Sequence, residues 1–159
     1  MAYQARTFDW PKVINGLAKT LSDITQGQVS VYDDGRVPKT AKYPFITFAD
    51  ENPYTELFHS TYKVNDQFDR TVSISCYAET DGEANNIADD LHTLLQDPQY
   101  RDELNSFGIT FVSVQNFARR SAVLSDFMKV SNYGFDLTIR LLRRYQSDHP
   151  EIKQYGGNS

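Results

Sequence analysis

Between Arg70 and Leu95 the hydrophobic period of the chain switches once, and cleanly. Val72, Ile74 and Cys76 alternate with Thr71, Ser73, Ser75 and Tyr77, a period of two that predicts a strand with one face on a core. Thr80-Asp81-Gly82-Glu83 then has capping-box spacing: the threonine hydroxyl can accept the N–H three residues on, while Asp81 and Glu83 suit the positive end of a helix dipole. Ala84, Ile87, Ala88, Leu91, Leu94 and Leu95 follow at helical spacing, and Pro98 ends the pattern. A strand feeding a helix through a short turn predicts a helix folded back onto a sheet.

The flanking chain carries the same two periods. Asp9 can cap a first helix with Pro11 in its first turn, and Trp10, Val13, Ile14, Leu17, Leu21 and Ile24 keep a helical period until Gly27. Val29 and Val31 alternate with Ser30 and Tyr32 in a short strand, which Asp33-Asp34-Gly35 closes as a turn. Phe45–Phe48 is a second strand, and Asn52-Pro53 is expected to break it. Residues 49–68 read as an irregular connection, an extended hairpin arm rich in large apolar groups. Pro98–Leu104 suggests a short helical turn. Gly108 opens a strand apolar on both faces, and so expected to lie centrally, and 117–127 is a second irregular connection. From Val130 to Arg143 the alternation is the cleanest in the chain, with Tyr133, Phe135, Leu137, Ile139 and Leu141 inward and the other face wet.

This order predicts an α+β domain. It has a mainly antiparallel sheet of four to five strands, with the N-terminal helix and a second long helix packed on one face. Residues 1–145 form a single domain, and 146–159, ending Gly-Gly-Asn-Ser, read as a flexible or docking tail.

Composition narrows the function. Cys76 is the one cysteine, which rules out an internal disulfide and a four-cysteine zinc site and fits a reducing compartment. The N-terminus lacks a secretory h-region, and no apolar run approaches a membrane span. A net charge of −5 argues against nucleic acid as the main ligand. Charge is uneven, however: 116–145 carries six cations against two acids, a net of +4, leaving −9 for the remainder. Two unlike patches could dock head to tail, or the cations could simply solvate strand ends.

No constellation points to catalysis. His92 has Gln96 at the position where a metal partner would stand, so a surface histidine is the better reading. Asp89 and Asp90 are adjacent on a helix and diverge by about 100°. Asp33-Asp34 lacks the downstream glutamate of a calcium loop. The phosphate-loop, dinucleotide and nucleophile-elbow signatures are absent. No catalytic, cofactor or metal residue is expected. Aromatics make up 13% of the chain, and Tyr54, Phe58, Tyr62, Phe117 and Phe127 fall outside the clear elements, which favours interface use over core packing alone.

The layout of segments resembles the tail terminator (tail completion, or neck terminator) proteins of long-tailed bacteriophages. The likeness runs from the helix at Asp9–Thr25 through the strand at Tyr43–Phe48, the block RTVSISCYAETDGEANNIADDLHTLL and the strand start at Gly108-Ile109, to NYGFDLTIRLLRRY at Asn132–Tyr145. It covers about residues 9–145 and is one of order and texture, with no single diagnostic motif. The resemblance implies a structural virion protein of the neck, made in the host cytoplasm and without catalytic residues. It implies a ring, expected to be a homohexamer, that caps the head-proximal end of the tail tube, stops polymerisation and offers a head-joining surface. Its partners would be copies of itself, the tail tube protein and a connector or stopper, with DNA passing through the lumen unread. Tyr54, Phe58 and Tyr62 in the first connection, and Phe117, Arg119, Arg120 and Phe127 in the second, are the candidate contacts to neighbours or tube. The alternatives are a connector stopper, an adaptor, a sheath-end protein, or a small ligand-binding domain unrelated to phage.

Overall fold

The computed structural model describes residues 2–57, 66–120, 122–125 and 128–144, with only the backbone described at 122–125 and 128–130. Within these residues lie three α-helices and six strands: α1 (Trp10–Ile24), β1 (Ser30–Asp33), β2 (Phe45–Glu56), β3 (Asp66–Ala78), α2 (Asp81–Leu94), α3 (Pro98–Ser106), β4 (Thr110–Arg119), β5 (Ala122–Ser125) and β6 (Met128–Arg143). The strand order is β1-β2-β3-β6-β4, with β5 paired to β6. β1 runs parallel to β2 and every other pair is antiparallel, so the fold is α+β with a mixed, mostly antiparallel sheet.

The caps form where the sequence places them. The Asp9 carboxylate accepts the Lys12 N–H, and Thr80 Oγ1 accepts the Glu83 N–H at 3.2 Å. α1 and α2 turn Leu17, Leu21, Ala88 and Leu91 onto Val72, Ile74, Cys76, Phe135 and Leu137 of the sheet. Each fully buried leucine contributes about 2 kcal/mol through the water it sheds. α1 and α3 cross closely at Gly16, where a Cβ would fall 2.5 Å from Cγ of Phe107.

Four expectations change. Asn52-Pro53 does not end β2. The strand absorbs it as register shifts between Asp50 and Thr55, since a proline lacking an N–H fits a bulge, and the Asn52 side chain accepts the Tyr54 N–H. The extended hairpin is thus β2–β3, paired as far as Glu56 and Phe68. β4 lies at the sheet edge rather than centrally, because its inner face packs on α3 and α2 while β6 takes its only pairing side among the described residues. Residues 117–119 are not irregular but the end of β4, and β5 continues that line along β6. Finally, the outer face of β6 is not simply wet: Asn132 and Asp136 are buried. Phe58, Tyr62 and Phe127 lie outside the described residues, as does the 146–159 tail.

Candidate functional site

The helices occupy one face of the sheet. On the other, cross-strand pairing lines up Thr47, Ser75, Gly134 and Ala118 at one level, and Ala49, Ser73, Asp136 and Gln115 at the next. Small side chains leave a shallow trough there, and the Arg120 side chain lies in it. Its Nη1 donates to Ser73 Oγ (2.7 Å), Ser75 Oγ (3.3 Å) and the Ile74 carbonyl (3.4 Å), and its Nη2 donates to Asp136 Oδ1 (3.1 Å). Asn116 Nδ2 donates to the other Asp136 oxygen at 2.8 Å. Asn116 reaches it because φ = 58° at the bulge between Gln115 and Ala118 turns its side chain inward, a conformation asparagine tolerates better than most residues. The Arg120 N–H continues the ladder onto the Asn132 carbonyl.

This network sets the local electrostatics. Burial alone would raise the Asp136 carboxyl, but hydrogen bonds from Asn116, Glu51 and Arg120, together with the Arg120 charge, hold it below the usual aspartate range. Glu51 is the other half of the balance: its hydrogen bond with Asp136 and the charge of that carboxylate raise it. On the opposite face, burial pushes the Cys76 thiol up to about 12, with the Arg120 charge only partly opposing.

The candidate contact residues fall at two places along β6, Phe117 and Arg119 beside its middle and Tyr54 near its C-terminal end. Phe117 is 37% exposed and packs edge-on against His92 with ring centroids 5.2 Å apart, and flat above Phe135. His92 is therefore part of an aromatic cluster rather than a bare surface histidine. Arg119 pairs with Asp81 at 2.6 Å, and Arg120 is held as described. Tyr54 sits elsewhere: it stacks on Phe68, its hydroxyl donates to Asp66, and the Arg143 guanidinium lies 5.4 Å from its ring. Arg119 pairs with Tyr133 while Asp66 pairs with Arg143, so the two groups stand roughly 30 Å apart along the strand. Much of the basic segment is also neutralised internally, since Arg140 pairs with Asp69 at 2.8 Å.

Among the described residues no group of three or more His, Cys, Asp or Glu side chains could hold a metal ion. A cleft of about 280 Å³ between α1 and α2 brings a single carboxylate, Asp90, among Ile24, Val29, Ile87 and Leu94. That is no acid–base pair. No helix among the described residues is long and apolar enough to cross a membrane.

A family model described as phage neck terminator protein matches residues 15–157 of the 159. The chain belongs to that family. No curated protein matches it. Membership makes this neck terminator a structural part of a bacteriophage tail and neck, and sets aside the reading as a ligand-binding domain unrelated to phage. For the terminator, the trough residues Ser73, Ser75, Asn116 and Asp136 are what sequence reasoning misses. One signal points to them: Gly134 interrupts the cleanest strand, and a glycine inside a strand marks a close approach.

Proposed function

We propose that this neck terminator closes the head-proximal end of the tail tube as a hexameric ring. The ring ends tube polymerisation and presents the surface on which the head is joined, and DNA passes through it unread. The carrying observation is the family match along residues 15–157. The surface supports a ring in particular. Rings need heterologous contacts, one patch meeting a different patch on the next copy. Here the exposed Phe117 with Arg119 stands beside the middle of β6, and Tyr54 with Arg143 at its C-terminal end. Each contact needs roughly 800 Å² per partner. Residues 1–145 act as a single domain in this reading, with 146–159 as a flexible or docking tail. Phe58, Tyr62 and Phe127, which lie outside the described residues, are further candidate contacts.

Polymerising purified tail tube protein with and without the terminator tests this. Short, end-capped tubes carrying six copies by native mass spectrometry are expected. Unchanged tube lengths would overturn the reading, and a twelve-fold ring bound to portal would favour a head–tail adaptor instead.

A further inference from the structure

We infer that the ring is joined by sheet continuation: the outer edge of β4 in one copy pairs main chain to main chain with the outer edge of β1 in the next. This deepens the ring reading and rests on it. β4 and β1 are the two ends of the strand order, so among the described residues each has an edge without a strand partner. Proteins usually blunt such edges with charge or proline. From Thr110 to Ala118, β4 has neither, and Val112 and Phe117, two of the four exposed large hydrophobics among the described residues, lie on it.

Strand direction identifies the occupant as a second copy. β1 is parallel to β2, β2 is antiparallel to β3, β3 to β6, and β6 to β4. β4 therefore runs opposite to β1. Two copies set side by side in the same orientation, as rotational symmetry about a ring axis requires, bring β4 against β1 antiparallel, the geometry of hydrogen-bonded pairs needing no crossover. Level matches too. Following the ladder across, Val31, Ile46, Cys76, Tyr133 and Arg119 share one row, and Tyr32, Thr47, Ser75, Gly134 and Ala118 the next. The bulges of β4 restrict its regular ladder to short pieces, commensurate with the four residues of β1. The continued sheet keeps every copy's helices on one side of the ring wall and every Arg120 trough on the other.

The test is a double variant, Tyr32→Cys with Ala118→Cys, in the full chain. Cys76 is fully buried and gives no background. Oxidation of tube-capping oligomers should yield a covalent ladder up to six copies, with neither single variant cross-linking. Dimers from Ala118→Cys alone would mean that β4 pairs with β4, and would overturn the inference. Hydrogen exchange on the unmodified chain gives a second measure: the outward-facing amides among residues 116–120, the stretch level with β1, should slow by about tenfold or more on assembly. Unchanged exchange in a ring that caps tubes would sink the edge pairing while leaving the terminator reading intact. A cross-linked ring that ignores tubes would do the reverse, and a chain monomeric even with tubes would end both.

Discussion

Arg120 lies across Gly134: a Cβ at position 134 would stand 2.9 Å from the Arg120 Nη1 and would collide with the Ile74 carbonyl behind it. The backbone oxygen cannot give way without opening the β3–β6 ladder. Gly134→Ala should therefore destabilise the fold by about 3 kcal/mol, read as a lower urea midpoint. Arg120→Ala removes the side chain but not the carbonyl, so the double variant should recover only part of the loss. Full recovery would show that Gly134 serves the arginine alone.

Acid should loosen the same network. The Asp136 carboxyl is held below its ordinary value of 3.8, so its stabilising contribution is complete above that pH and is lost as pH falls through the lower folded value. Glu51 is raised and works in the opposite sense, taking its proton first and relieving its repulsion with Asp136. Unfolding midpoints should hold steady from neutral pH to about 5 and fall below about 4. Asp136→Asn should be less stable at pH 7 by about 2 kcal/mol, because the half-buried Arg120 loses its counter-ion, and its midpoint should fall less in acid. Glu51→Gln should lose no stability at pH 7; a clear loss would show that Glu51 supports the network rather than straining it.

Gly16 makes a second tight crossing, between α1 and Phe107 just beyond α3. Alanine is the better helix former by about 1 kcal/mol, yet Gly16→Ala should lower the melting temperature. The nearest atoms are Cβ and Cγ of Phe107, which sit too close to the backbone to swing away. A raised melting temperature would mean that α3 shifts freely on α1.

Cys76 should be inert while the protein is folded. It is fully buried with a thiol pushed up to about 12. Labelling by a thiol reagent at pH 8 should be at least about a thousand-fold slower than for a free thiol and should accelerate in urea with unfolding. Rapid labelling of native protein would place the strand in a looser environment than its neighbours indicate.

Elements with strong local periodicity are legible in the amino-acid sequence. The inward sets of β3 and β6, the α2 cap and the α1 stripe all follow from spacing, because side-chain direction in a strand or helix is a local property. What escapes such a reading depends on partners distant along the chain. That β4 is an edge follows from β6 taking the place beside β3, an element far earlier in the chain. Residues 117–119 read as irregular because the bulge at Asn116 breaks the alternation that marks a strand. Arg119 and Arg120 look alike as adjacent cations, yet one pairs at the surface with Asp81 and the other lies in the trough. Only the pairing of Gly134 between Ser75 and Ala118 separates them.

The position of β6 also governs when the sheet can close. β3 and β4 both leave the ribosome before it, and each waits for this one 16-residue strand to fill the gap between them. A nascent chain thus holds β4 without its partner, and the row linking Val31 to Arg119 does not yet exist. If copies join by their sheet edges as proposed, only a subunit whose sheet is complete offers both edges at matched heights, and partly made chains are poor recruits.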